Sequence, residues 1–137
     1  MLVIGHGVGE WVAKRIRCHY DEFDSQALGW QTDERIVCGV IYEDYNVSSV
    51  VAHIACDRPM VPKFVWAIFD YPFNQMGVSK IICPIPQFNE DSMRLCRKFG
   101  FAEECRIRDA HPSGDMIFYT MRREDCRWLK GTRYGKR

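Results

Sequence analysis

The chain has 137 residues, of which 47% are hydrophobic and 27% charged, and its formal net charge is +1. This length and composition suit one domain over residues 1–137 whose core folds without disulfides or a metal ion. The apolar runs are too short for a membrane span and no basic-then-apolar leader is present, so we expect neither a membrane protein nor a secreted one. The seven cysteines are an odd number without a Cys-x-x-Cys pair, which indicates reduced thiols and a cytoplasmic protein.

The charge is unevenly distributed along the chain. Residues 122–137 carry a net charge of +5, and residues 1–121 carry a net charge of −4. The simpler interpretation of this basic C-terminal tail is a solvated, frayed terminus. The alternative, which we do not favour, is a nucleic-acid-binding surface that combines the tail with Trp128 and Tyr134.

Hydrophobic periodicity predicts nine elements in the order α, β, β, β, α, β, α, β, β. The helices are predicted over residues 5–17, 62–76 and 89–101. The strands are predicted over residues 27–31, 35–43, 49–56, 80–85, 102–110 and 115–121. Residues 18–26 are polar and are predicted to turn or to form a second short helix, and the glycines before them to serve a loose N-terminus.

The turn residues predict how these strands pair. Asp44 and Asn46 lie between two adjacent strands, and the sequence H-P-S-G-D lies between the last two, so both pairs are predicted to be antiparallel. A strand-helix-strand unit lies between these pairs, and Pro72 is expected to kink or end its helix. The predicted fold class is therefore α/β (α+β), with a mixed sheet in a single domain.

The third helix has the clearest boundaries in the sequence. Asn89 can accept hydrogen bonds from the free amides of the first turn, where Glu90 and Asp91 also place negative charge at the positive end of the helix dipole. Gly100 supplies the left-handed residue that ends the helix. These signals predict a helix whatever its function.

Two kinds of site are rejected on their spacing. A dinucleotide-binding G-x-G-x-x-G needs a third glycine at position 10, where Glu10 stands. His53 and Cys56 are three residues apart on a strand, which points them to opposite faces, and no second pair completes four ligands. We therefore predict no metal site.

The region around the third helix resembles a known family. A strand, a loop, a long helix and a strand precede N-E-D-S-M-R-L-C-R-K-F-G-F, and the pattern F-x-E-E-x-x-x-R…G-D…Y-x-M follows. This combination resembles the GNAT acetyltransferase superfamily, in particular the branch typified by ribosomal-protein N-terminal acetyltransferases. The likeness covers residues 35–121 by element order and 69–121 by residues. The short chain also resembles small members found in bacterial viruses.

The resemblance implies a twisted, mostly antiparallel sheet flanked by helices, with acetyl-CoA in a V-shaped split between strands 49–56 and 80–85. The loop C-D-R-P-M-V-P-K, where the family binds pyrophosphate, departs from the family pattern because Asp57 and Pro59 stand at glycine positions. Asp57 would repel phosphate and Pro59 lacks an amide donor, so Arg58 and Lys63 are the expected compensating contacts. The residues expected to bind the cofactor are Ile54, Cys56, Arg58, Lys63, Asn89 and Cys96.

The resemblance also implies roles in catalysis. Ser92 matches the serine thought to serve as the acid for the leaving thiolate, and Cys96 stands where many members have a tyrosine. The alternative for Ser92 is a first-turn serine that satisfies a backbone amide, and for Asn89 it is the helix cap alone. His53 is the preferred base, because its pKa suits proton removal near neutrality.

Further candidates remain on neighbouring segments. Tyr42 and Glu43 are reserve bases, and Asp21, Glu22 and Asp24 are expected either to attract a cationic amine or to form a solvated acidic loop.

The predicted function is transfer of acetyl from acetyl-CoA to a primary amine, which is a protein N-terminus, a lysine or a small amine. The alternative is a non-catalytic GNAT-like binding module with a degenerate CoA site. Trp30, Trp66 and Trp128 belong either to the core or to an interface. The second alternative corresponds to a homodimer.

Overall fold

One seven-stranded sheet organises the structure, a computed structural model that describes residues 1–130. The strands are β1 (Leu2–Ile4), β2 (Gln26–Thr32), β3 (Arg35–Glu43), β4 (Ser49–Cys56), β5 (Lys80–Pro86), β6 (Ala102–His111) and β7 (Gly114–Arg122). The helices are α1 (His6–Ile16), α2 (Pro62–Asp70) and α3 (Glu90–Phe99). A π-helical turn at Tyr71–Gln75 follows α2, and 3-10 turns lie at Arg123–Asp125 and Arg127–Leu129.

The strand order is β1-β2-β3-β4-β5-β7-β6, and among the described strands only β4 and β5 pair in parallel. This confirms the predicted mixed, mostly antiparallel sheet flanked by helices. None of the described helices is long and apolar enough to cross a membrane.

The sheet separates two hydrophobic clusters. Because successive residues of a strand point to opposite faces, Ile41 of β3 packs with Val8 and Val12 of α1. Its neighbours Val40 and Tyr42 belong to the larger cluster, to which α2 and α3 contribute their buried faces. Both faces of the sheet are therefore covered by helix.

Two glycines let α1 lie close to the sheet. A Cβ atom at Gly39 would lie 2.6 Å from Cγ2 of Val12, and one at Gly29 would lie 2.9 Å from Cγ1 of Val8. Carbon atoms that are not bonded to each other do not approach so closely, so these two positions need glycine for α1 to pack where it does.

The boundaries of α2 and α3 follow the predicted signals. In α3 the Asn89 side chain accepts a hydrogen bond from the Ser92 amide at 3.1 Å, and Gly100 ends the helix with φ 106°. The regular part of α2 ends at Asp70, and Pro72 lies in the π-helical turn that follows. The expected cap, stop and proline-induced ending are confirmed.

The prediction of a loose N-terminus is wrong. Leu2–Ile4 pair antiparallel with β2, and the Met1 amino group donates a hydrogen bond to the Gln31 carbonyl at 2.9 Å. Three residues are too few for alternation to identify a strand, which is why periodicity missed this edge. Residues 18–26 were predicted to turn or to form a short helix; they contain a turn at residues 22–24, and Gln26 already belongs to β2.

The prediction of a frayed C-terminus is wrong for residues 122–130. Cys126 is buried with 1% exposure, and the Trp128 indole donates a hydrogen bond to the Phe99 carbonyl at 2.7 Å. The Trp128 ring also packs edge-on against Phe99. This part of the tail is folded against α3. Tyr134, the other aromatic residue of the nucleic-acid hypothesis, lies outside the described residues.

Candidate active site

The split between β4 and β5 is the central feature of the site. The two strands pair only from Ser49 opposite Lys80 to Val51 opposite Ile82. Beyond that point, residues 52–56 of β4 pair with β3 alone, and residues 83–86 of β5 pair with β7 alone. One edge of β4 is therefore free to pair with an extended ligand, as the resemblance implied.

Two cavities adjoin this split. The first, here named the His53 cavity, has a volume of about 540 Å³ and is lined by the candidates His53, Ile54, Asn89, Ser92 and Cys96. The second, named the Trp66 cavity, has a volume of about 530 Å³ and is lined by Cys56, Arg58, Trp66, Lys98 and Trp128, among others. Leu95 of α3 lines both, so the cavities meet at this side chain.

His53 is held by a carboxylate from the neighbouring strand. Its Nε2 atom lies 2.6 Å from Oε1 of Glu43, and the side chains are only 13% and 24% exposed. The hydrogen bond from His53 lowers the pKa of Glu43, which favours the ionised carboxylate. Because a carboxylate can only accept, Nε2 of neutral His53 carries the proton and Nδ1 is the nitrogen left with a lone pair.

Tyr42, the other reserve base, lies elsewhere. Its hydroxyl is buried on the α2 side of the sheet and donates to the Ile68 carbonyl. Burial raises the pKa of Tyr42 well above its usual range. Tyr42 is thus a core residue and not a candidate base.

Ser92, in the first turn of α3, and Asn89, the residue that caps this helix, both line the His53 cavity. Asn89 uses its side-chain oxygen as the helix cap, and its side-chain nitrogen Nδ2 has no hydrogen-bond partner among the described residues. The Ser92 hydroxyl likewise makes no hydrogen bond within residues 1–130, so the alternative in which it satisfies a backbone amide is not observed. Both side chains keep polar atoms available to a ligand.

Cys96 lies deeper in the same cavity, beside Cys83 of β5. Both thiols are buried, and the hydrogen bond between them, together with burial, raises the pKa of Cys83 well above its usual range. The Cys83 thiol therefore stays protonated at neutral pH and forms part of an apolar wall, without the character of a nucleophile.

The altered loop after β4 is held by α1. Arg15 binds both carboxylate oxygens of Asp57, with Nε to Oδ1 and Nη2 to Oδ2 distances of 3.0 Å each. The guanidinium also stacks over Trp11, 3.6 Å from the ring centroid. This bidentate pair lowers the pKa of Asp57 and balances its charge, so the repulsion of phosphate expected from Asp57 is offset.

The two expected phosphate contacts separate in the structure. Arg58 lines the Trp66 cavity, whereas Lys63 is exposed in the first turn of α2 and does not line it. Lys98 of α3 takes the second cationic position. Sequence reasoning missed Lys98, although its spacing of three residues from Leu95 places both on one side of the helix.

The groups around the split fit the acetyl-CoA that the resemblance implies. The free edge of β4 suits the pantetheine arm, and Arg58 and Lys98 supply positive charge beside it. Trp66 lines the same cavity as these two cations, and its indole Nε1 is buried without a hydrogen-bond acceptor among the described residues. Two cations beside an extended edge are the groups that an anionic ligand needs.

The acidic loop predicted to attract a cationic amine is not part of the His53 cavity. Asp21 and Glu22 line a separate surface cavity. Glu22 is paired with Nδ1 of His6 at 2.9 Å, and Asp21 accepts a hydrogen bond from the Phe23 amide at 2.9 Å. These acids belong to the local structure of the loop.

Comparisons with known proteins identify the fold. No protein-family model matches the chain, and no curated protein sequence matches it significantly. Solved structures do match. Mutant forms of the spermidine/spermine N-acetyltransferase SpeG from Vibrio cholerae superpose with a TM-score of 0.72 at 13% identity, over 90% of this chain and 95% of theirs.

Two further acetyltransferase structures match at similar identity. The ribosomal-protein-S5-alanine acetyltransferase from Vibrio fischeri gives a TM-score of 0.61 at 15% identity, over 74% of this chain and 63% of its own. The Campylobacter jejuni N-acetyltransferase PseH, in complex with acetyl coenzyme A, gives 0.60 at 12% identity, over 90% and 99%. The chain thus has the fold of GNAT-family acetyltransferases, which confirms the fold that the sequence predicted.

Proposed function

We propose that the chain is an acetyl-CoA-dependent N-acetyltransferase that acts on a primary amine. The observation that carries this proposal is the free edge of β4, which opens onto a cavity where His53 and Ser92 both present polar groups. Structures of the same fold that bind acetyl-CoA or CoA support it.

In this proposal the reacting amine loses its protons through His53. Nδ1 of His53 accepts a proton, directly or through a water molecule, and the Glu43 carboxylate stabilises the imidazolium that results. Acetyl-CoA supplies the activated thioester when it is bound. The Ser92 hydroxyl gives a proton to the sulfur that leaves as the nitrogen–carbon bond forms. His53 takes the two protons of the ammonium ion in turn. One passes to solvent, and the other restores the Ser92 hydroxyl, whose own proton is now on the thiol.

The test measures binding and transfer separately. Isothermal titration with acetyl-CoA should show binding, and a panel of primary amines should then release free CoA thiol, with the acetylated amine identified by mass spectrometry. Binding without transfer to any amine would reject the proposed enzymatic activity and retain acetyl-CoA as a ligand.

The second candidate is a non-catalytic GNAT-like module, which Asp57 and Pro59 in the phosphate loop favour. It predicts neither heat nor a thermal shift with millimolar acetyl-CoA. Binding in the micromolar range would reject it.

A further inference from the structure

The walls of the His53 cavity carry information about the acceptor. Apolar side chains cover most of the surface; they include Ile16, Ile54, Ile85, Phe88 and Met116. Among the described residues, no aspartate or glutamate lines the cavity. Glu43 is the nearest acid to the proposed base, but it lies behind His53 and is bonded to it.

Arg17 is the formally charged residue of the wall at neutral pH. It ends α1 in a left-handed conformation with φ 55°, and its guanidinium forms no ion pair or hydrogen bond within residues 1–130. Arg15, two residues earlier, is already bound to Asp57. Arg17 is thus the arginine of this helix end that is free to meet a ligand.

Two carboxylates lie nearby, outside the His53 cavity. Glu90 and Asp91 line an adjoining groove, which Arg15 and Arg17 also line. The Asp91 carboxylate is paired with Arg94 at 3.1 Å. A second ammonium group on an acceptor would therefore find no unpaired acid in the cavity and would meet Arg17 at its wall.

From this charge pattern we propose that the acceptor is a primary amine on an apolar body that also bears a negatively charged group, and that polyamines are excluded. The inference rests on the proposed function, because it names the class of amine that the His53 cavity takes. The apolar body occupies the wall around Phe88 and Met116, and Arg17 binds the anionic group. Arg17 is here a specificity-determining residue and takes no part in proton transfer.

The experiment compares three probes of known charge. L-phenylalanine has the amine, the apolar body and a carboxylate; L-phenylalaninamide lacks the carboxylate; spermidine is a polycation without an apolar ring. We expect phenylalanine to have a kcat/KM about tenfold above the amide, as one ion pair in a partly screened site allows, and spermidine to react more slowly than both.

Variants at Arg17 and Lys14 then assign the effect. Arg17→Glu should reverse the order of phenylalanine and phenylalaninamide, and Arg17→Lys should keep it. Lys14→Glu, which makes the same charge change on α1 but lines a different cavity, should leave the order unchanged. Equal rates for the acid and the amide, or faster acetylation of spermidine, would overturn the proposal.

Binding of the same probes, measured by NMR titration without acetyl-CoA, separates this inference from the proposed function. If no amine is acetylated but phenylalanine binds in an Arg17-dependent way, the proposed acetyltransferase activity is rejected and the proposed class of ligand is retained. If spermidine binds more tightly than phenylalanine, the proposed class of ligand is rejected, whether or not the protein acetylates amines.

Discussion

Ser92 is the residue whose role is most open to a direct test. Its hydroxyl faces the His53 cavity and has no partner within residues 1–130, so its removal should leave the fold intact. We expect Ser92→Ala to lower kcat by about a hundredfold, the lower range for a general acid, with little change in acetyl-CoA affinity. Ser92→Cys, which restores a proton donor, should recover part of the rate. An unchanged kcat in Ser92→Ala would remove Ser92 as the acid.

The Glu43–His53 pair predicts a pH-dependent contribution to stability. Because the folded-state pKa of Glu43 is lowered, its carboxylate stabilises the fold above the ordinary glutamate pKa, and this is lost as pH falls through the lowered value. Glu43→Gln should therefore cost about 1 kcal/mol at pH 7, as for a hydrogen bond to a charged group in a partly exposed site, and much less near pH 3. Urea unfolding at both pH values measures the difference. A cost that is the same at both would contradict this account.

The cations beside the Trp66 cavity should determine cofactor affinity. Arg58→Ala and Lys98→Ala should each weaken acetyl-CoA binding about fivefold, the effect of one exposed ion pair, with less effect at high salt and little change in kcat. Lys63→Ala is the matched control, because Lys63 does not line the cavity and should leave the affinity unchanged. Calorimetry on the three variants decides whether Lys63 or Lys98 is the second contact.

At the scale of the elements, close packing of α1 on the sheet makes a paired prediction with two glycines. Gly39→Ala would force a Cβ atom to 2.6 Å from Cγ2 of Val12, so we expect it to cost about 2 kcal/mol in the free energy of unfolding. Gly7→Ala, on α1 with no atom within 4 Å of the added carbon, should be neutral or slightly stabilising because alanine favours helix. Denaturant unfolding measures both. Equal effects would contradict the packing argument.

The sequence predicted the elements well where long periodic patterns and strong punctuation agree. The strand Arg35–Glu43 and the helix after Asn89 are examples, because β-branched residues and the cap and Gly100 act locally. β1 was missed because three residues at a sheet edge carry no periodic signal. The folded C-terminal turns were missed because the burial of Cys126 and the contacts of Trp128 depend on α3, which is distant in sequence.

The sequence identified individual residues that line the candidate cavity, but it did not predict which side chains contact each other. His53, Asn89 and Ser92 do line one cavity, since a capped helix and a strand edge fix them. The contact of His53 with Glu43 depends on the register of β3 and β4, which places Ile41 opposite His53. The Arg15–Asp57 pair joins residues 42 apart in sequence. No local pattern encodes such contacts.

At the scale of the whole molecule, residues 123–130 contact both the core and the candidate site. The Trp128 ring stacks parallel to that of Phe69, with 6.4 Å between the ring centroids, and its indole nitrogen donates a hydrogen bond to the Phe99 carbonyl. Trp128 also lines the Trp66 cavity. We expect Trp128→Ala to cost about 3 kcal/mol in the free energy of unfolding, at the lower end for a large aromatic because the ring is only partly buried.

The same variant should lose acetyl-CoA affinity, measured under conditions in which it remains folded, because one wall of the Trp66 cavity is removed. Lys130→Ala, an exposed neighbour, should change stability by less than about 0.5 kcal/mol and leave the affinity unaltered. Urea unfolding and calorimetry test the two effects independently. Wild-type stability in Trp128→Ala would support the interpretation of this segment as a frayed terminus. Lost stability with wild-type affinity would make the segment a structural support that takes no part in cofactor binding.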